Sequence, residues 1–161
     1  MLTASPGSLL WAHRRATTFG VAVVAIASLA TMATDVAVRA QTAAPAATSV
    51  WDGAYTLAQA KRGALKSGLC VNCHGDEFRG GPSPELAGPD FLDRWDGRTV
   101  GDLFELIRLR MPDDDPGALP REQYADLVAY ILAVNKFPTG STEIGIDAAP
   151  LKQIQILATK P

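Results

Sequence analysis

The clearest periodicity in the chain lies toward its C-terminal end. Tyr124, Leu127, Val128, Ile131 and Leu132 recur at i, i+3, i+4, i+7 and i+8, the apolar stripe of an amphipathic helix, and Pro120 suits its first position. A second helix is predicted over Val100–Arg110, with Val100, Leu103, Phe104 and Ile107 on one face, Thr99 as its cap and Met111-Pro112 as its stop. A third is predicted over Leu57–Ser67: Thr56-Leu57-Ala58-Gln59 has the form of a capping box, and Gly68 ends the helix. Ala148–Gln155 offers a short further helix capped by Asp147. Between the helices Leu57–Ser67 and Val100–Arg110, Gly75 to Pro89 is dense in glycine and proline and reads as loop. No stretch alternates as a strand does and no repeat is visible. The fold class expected is therefore all-α, three main helices joined by long loops.

The N-terminal end has a different pattern. His13, Arg14 and Arg15 precede the apolar run Gly20–Ala33, which has the length of a signal-peptide core and is short for a membrane span. Val38-Arg39-Ala40 places small residues at the usual cleavage offsets. Residues 1–40 are expected to be a signal peptide cleaved after Ala40 for periplasmic or other export, the alternative being an uncleaved anchor. Residues 41–50 read as a flexible linker, 51–138 as the domain and 139–161 as a tail. No membrane span is expected after cleavage.

Charge narrows the partners. The formal net charge is −2 at pH 7, and losing Arg14, Arg15 and Arg39 against Asp35 alone would make the mature chain more acidic. That sign and the lack of a basic stripe argue against nucleic acid. The apolar faces are few for a domain of this size, so a further component is expected in the core.

Both cysteines fall in Cys70-Val71-Asn72-Cys73-His74. A disulfide here closes too small a loop to stabilise much and needs no histidine. Structural zinc wants four ligands, and the mature chain supplies three Cys and His side chains. A thioredoxin-like dithiol would follow a strand and open a helix, whereas here a helix precedes and a loop follows. Covalent haem attachment suits the spacing: two thiolates bridge neighbouring porphyrin edges and the adjacent histidine lies under the iron. This reading is favoured, with the disulfide as the remaining alternative.

This motif with Gly75 after it, a C-terminal amphipathic helix and Met111-Pro112 further on resembles the class I c-type cytochromes over about Tyr55 to Lys136. The resemblance implies the cytochrome c fold around one covalently attached haem c, held between crossing first and last helices. It implies His74 and Met111 as axial iron ligands. Without the signal segment these are the sole histidine and methionine. Met111 also continues the apolar face of its helix as a core residue would, but Pro112 biases it out of helical geometry. By the same resemblance the Pro84 carbonyl in "SPELAG" accepts from the His74 ring and Leu86 packs on the haem. Trp95, Arg98, Arg79 and Arg110 are candidates for the haem propionates. Two positions depart from the family pattern. Lys66 stands where an aromatic is usual, and Gly63 is seven rather than eight residues before Cys70, so the helix crossing near Tyr130 is less fully specified.

The activity implied is one-electron transfer, by a soluble carrier or the cytochrome subunit of a periplasmic dehydrogenase, rather than catalysis by the chain itself. Redox partners such as a periplasmic dehydrogenase or a terminal oxidase are expected. Trp51-Asp52-Gly53-x-Tyr55 and the tail are similar to small cytochromes associated with quinoprotein dehydrogenases. The competing reading is a haem enzyme or gas sensor with an open distal site. Asp113, Asp114 and Asp115 are either a solvated loop or a docking determinant for a basic partner.

Overall fold

The computed structural model describes residues 46–161. The expected signal segment, its cleavage position and the first half of the linker lie outside the described residues. Six α-helices follow in order: α1 (Leu57–Lys66), α2 (Gly68–His74), α3 (Pro89–Trp95), α4 (Val100–Arg110), α5 (Arg121–Val134) and α6 (Ala148–Leu151). Short 3-10 turns lie at Val50–Asp52 and Asp76–Phe78. The described residues contain no strand, only isolated bridges from Gln155 to Ser49 and to Thr99. The class is all-α, as the periodicity predicts.

The central contact is between α1 and α5. Gly63 is why they can meet. A Cβ built there would lie 2.0 Å from the Asp126 carbonyl oxygen and 2.8 Å from Tyr130 Cβ, so the α1 backbone rests directly on α5. The crossing near Tyr130 thus forms with the glycine seven residues before Cys70 and with Lys66 exposed. Arg62 locks it from the side, donating to both Asp126 oxygens at 3.0 and 2.9 Å and to Glu143 at 3.0 and 2.8 Å. The stripe predicted on α5 is the one buried: Tyr124, Leu127, Val128, Ile131 and Leu132 are each at most 3% exposed.

Several local expectations change. The α1 capping box is only half formed: Thr56 Oγ1 accepts from Gln59 N, but the Gln59 side chain does not reach back. It is buried and pairs with the backbone of Ile144, donating to its carbonyl and accepting from its amide at 2.8 Å each. Two buried backbone groups of the tail have no water to turn to, whereas a helix end does. Thr99 and Asp102 make a complete box at α4, as Ser49 and Asp52 do at the 3-10 turn Val50–Asp52. Gly68 does not end a helix in a left-handed turn. Ser67 keeps right-handed geometry and α2 starts at Gly68. Pro120 caps α5 from outside rather than occupying its first turn. The last helix stops at Leu151, and Asp147 makes no side-chain cap bond. The short helix α3 has no sequence expectation to match. At seven residues it holds one buried pair, Phe91 and Trp95, too little for a periodicity.

The two ends of the described chain pair with each other. Val50 N donates to Gln155 O at 2.9 Å, Gln155 N to Thr48 O at 2.8 Å, and Trp51 Nε1 to Leu157 O at 2.9 Å. Within the described residues this pairing begins at Thr48, three positions before Trp51. From residue 139 on, Ile144, Leu151 and Ile156 are buried against the domain. Full burial of an isoleucine such as Ile156 contributes about 1.5–3 kcal/mol.

Candidate functional site

A cavity of about 660 Å³ opens between α2, the loop after it, α3, α4 and α5. Its lining is mostly apolar, including Leu69, Trp95, Leu103, Ile107, Leu127 and Ile131. Cys70, Cys73, His74, Pro84, Leu86 and Met111 also line it, so six of the sequence-predicted positions meet there together with Trp95.

One wall is built by α2 and its following loop. Three residues after Cys70, Cys73 is almost a helical turn on, which brings both thiols to the cavity. Both are free. Burial first, and then the neighbouring Cys73, push the Cys70 thiol up. The helix breaks at Gly75, with φ of +77°, where a Cβ would lie 1.9 Å from the Gly80 carbonyl oxygen. Any other residue there would push the loop away. The loop instead folds back on α2, with Gly80 N donating to His74 O at 2.8 Å and Ser83 N to Cys73 O at 3.0 Å.

That return places the Pro84 carbonyl 2.6 Å from His74 Nδ1. A carbonyl can only accept, so Nδ1 carries the hydrogen and the Nε2 lone pair is left free. His74 is buried, and this bond fixes its tautomer and ring orientation, as the shell around a metal-ligating histidine does.

A second wall begins where α4 ends. Met111 N still donates to Ile107 O at 2.8 Å, but Met111 itself is extended, with φ −128° and ψ 147°, as a residue before proline prefers. The apolar face of α4 therefore stops at Ile107, and Met111 leaves helical register. Its carbonyl accepts from the hydroxyl of Tyr124 on α5 at 2.8 Å. Pro112, Asp113 and Asp114 continue along the cavity, while Asp115 does not line it.

The predicted propionate partners divide. Trp95 lines the cavity. Arg98 does not: its guanidinium lies over the Trp95 ring, 5.4 Å from the centroid. Arg79 lines a separate cavity of about 230 Å³ with Lys136, and Arg110 lines neither. The arginine that does reach the main cavity is Arg94, one helical position before Trp95. Arg94 belongs to α3, which is too short to leave a period in the sequence.

Nor does the sequence single out Asn135. From the end of α5 it donates to Leu86 O at 2.8 Å and accepts from Gly88 N at 3.0 Å, holding the stretch that carries Pro84 and Leu86. An asparagine just after an apolar helical stripe reads as a C-terminal signal, and nothing local to it announces a partner in another loop.

The arrangement fits a covalently held haem. Two thiols and a histidine with one free ring nitrogen line an apolar cavity, and a thioether lines it too. The family model described as cytochrome c oxidase, cbb3-type, subunit III, matches residues 42–131, more than half of the chain. No curated protein and no solved structure matches.

Proposed function

The chain belongs to that family, a c-type cytochrome domain devoted to haem-based electron transfer, and from this we propose an exported one-electron carrier with one covalent haem c. In this reading Cys70 and Cys73 would hold the haem through thioether links, and His74 Nε2 and the Met111 sulfur would hold its iron. What carries it is the meeting of these four side chains at one cavity, with His74 Nδ1 already held by Pro84.

Haem bound there supplies a ferric/ferrous couple; the rest is the work of the chain. The Pro84 carbonyl holds the His74 ring and keeps its free nitrogen turned to the cavity as a ligand. The Met111 thioether is soft and neutral and favours ferrous iron, which raises the reduction potential. Leu86, Leu103, Ile107, Leu127 and Ile131 keep water from the redox centre. With His74 and Met111 both holding the iron, the protein would leave no place on it for oxygen or a substrate. The cofactor does the chemistry while the protein tunes and insulates it.

A soft sulfur ligand gives the oxidised protein a weak near-infrared sulfur-to-iron band. Met111→Ala is expected to abolish that band while leaving the haem attached, and an unchanged spectrum would refute the ligand assignment. The reduced parent protein is expected to resist carbon monoxide. Fast, tight binding would mark an open distal site, hence an enzyme or a gas sensor.

Export to the periplasm rests on Arg14-Arg15, the apolar run Gly20–Ala33 and Val38-Arg39-Ala40. The exported protein is expected to begin at Gln41, and an intact Met1 on the exported product would overturn cleavage. Among the described residues no helix is long and apolar enough to cross a membrane. The family's description favours a terminal oxidase complex as redox partner, and the similarity of the Trp51 lead-in favours a periplasmic dehydrogenase. Stopped-flow oxidation and reduction against each would separate them.

A further inference from the structure

We propose that Tyr124 is a positioning residue for Met111, acting as a hydroxyl clasp that closes the whole distal loop; this rests on Met111 being the second axial ligand. The Tyr124 hydroxyl donates to Met111 O at 2.8 Å and receives the amide hydrogen of Leu119 at 3.3 Å. One oxygen thus ties the first and last residues of the loop Met111–Leu119 to a side chain that is 1% exposed.

The loop has little else to hold it. Its internal bonds are the two turns from Asp115 N to Pro112 O and from Ala118 N to Asp115 O, at 3.1 and 3.2 Å. From Asp113 to Ala118 every residue is exposed. Met111, by contrast, has both backbone polar groups occupied, its N–H by Ile107 O and its C=O by Tyr124 Oη. Fixing both peptide groups leaves the thioether only its side-chain rotations, so the sulfur is presented to the cavity at low entropic cost. Tyr124 itself stands on the first turn of α5, where Tyr124 N bonds Pro120 O at 3.3 Å. The clasp therefore connects the ligand loop to the helix that crosses α1. It acts through the Met111 backbone and not on the metal.

The test is Tyr124→Phe in the full holoprotein, with Tyr55→Phe as its comparison. Tyr55 is equally buried and its hydroxyl donates to Phe137 O at 2.6 Å, away from the distal loop. With the clasp opened, imidazole should displace Met111 from ferric iron at concentrations roughly three- to tenfold lower, the equilibrium equivalent of one neutral hydrogen bond. The sulfur-to-iron band should weaken in proportion, while haem content stays at one per chain. Tyr55→Phe should lower the melting temperature and leave imidazole affinity at the parent value. Unchanged imidazole affinity in Tyr124→Phe, or an equal change in Tyr55→Phe, overturns the inference. Absence of the band from the parent protein is a separate outcome, which refutes ligation by Met111 and with it the clasp's purpose.

Discussion

Replacing Gly63 by alanine puts a methyl group where α5 already is. The added Cβ would lie 2.0 Å from Asp126 O, 2.6 Å from Asp126 C and 2.8 Å from Tyr130 Cβ, against an ordinary contact of 3.4–4 Å. The first two of these are backbone atoms of a helix and cannot rotate aside. The helices must part by more than an ångström at their crossing, a gap that forfeits about half or more of the contact attraction there. Arg62 would also lose its two-pronged fit to Asp126. Overpacking of this kind costs about 1–3 kcal/mol, and the backbone clash puts Gly63 at or above the top of that range. Alanine's higher helix propensity returns about 1 kcal/mol. The net loss is about 2 kcal/mol, worth roughly 10 °C in melting temperature for a domain of this size. Guanidinium titration of the holoprotein, followed by circular dichroism and by haem absorbance, measures it. Gly68→Ala is the internal control. Nothing lies within 4 Å of a Cβ there and the residue is helical, so stability should stay level or rise by up to about 1 kcal/mol. If Gly63→Ala matched the parent, or if the two variants behaved alike, close backbone contact at the crossing would not be what holds α1 on α5.

Other measurements probe the remaining supports. Gln59→Leu leaves the amide and carbonyl of Ile144 buried without partners and should cost about 2–4 kcal/mol, with tail amides exchanging hydrogen faster than those of α5; uniform exchange would refute a local anchor. Asn135→Ala frees Leu86 O and Gly88 N, so it should lower stability by about 2 kcal/mol and also shift the reduction potential through Pro84 and His74. A stability loss with no change in potential would make Asn135 a purely structural tie. The Glu143 carboxyl is held below its ordinary value of 4.5 chiefly by its hydrogen bonds from Arg62. A lowered folded value means that the pair's contribution is complete above about pH 4.5 and is lost as pH falls through the lowered value. Glu143→Gln should therefore be slightly less stable than the parent at pH 7, level with it near pH 2, and closer to it at high salt; a deficit that grew on acidification would reverse the sign. Replacing Asp113, Asp114 and Asp115 by Asn should flatten the salt dependence of electron transfer to a basic partner, and an unchanged slope would leave them a solvated loop.

The helical class, the bounds of α4, the buried stripe of α5 and the grouping of Cys70, Cys73 and His74 were all legible in the sequence, because each depends on residues within a turn or two of one another. The departure of Met111 from its helix was legible for the same reason, since Pro112 acts on its immediate neighbour. The sequence was silent or misleading where a partner lay far away. Gln59 looked like a capping residue and is instead spent on Ile144. Gly68 looked like a helix stop and opens α2. Arg94 is not among the sequence candidates because α3, with one buried pair on seven residues, has no period to detect. Tertiary structure decided the rest: the fit of Gly63 between two helix backbones, the pairing of Gln59 with Ile144, the hold of Asn135 on the loop that carries Pro84, and the meeting of Tyr124 with Met111. The physical reason is common to all four. Local propensity ranks what a segment prefers on its own, but a buried polar atom must find a partner wherever the fold brings one, and a close-packed crossing admits only the side chain that fits between two backbones.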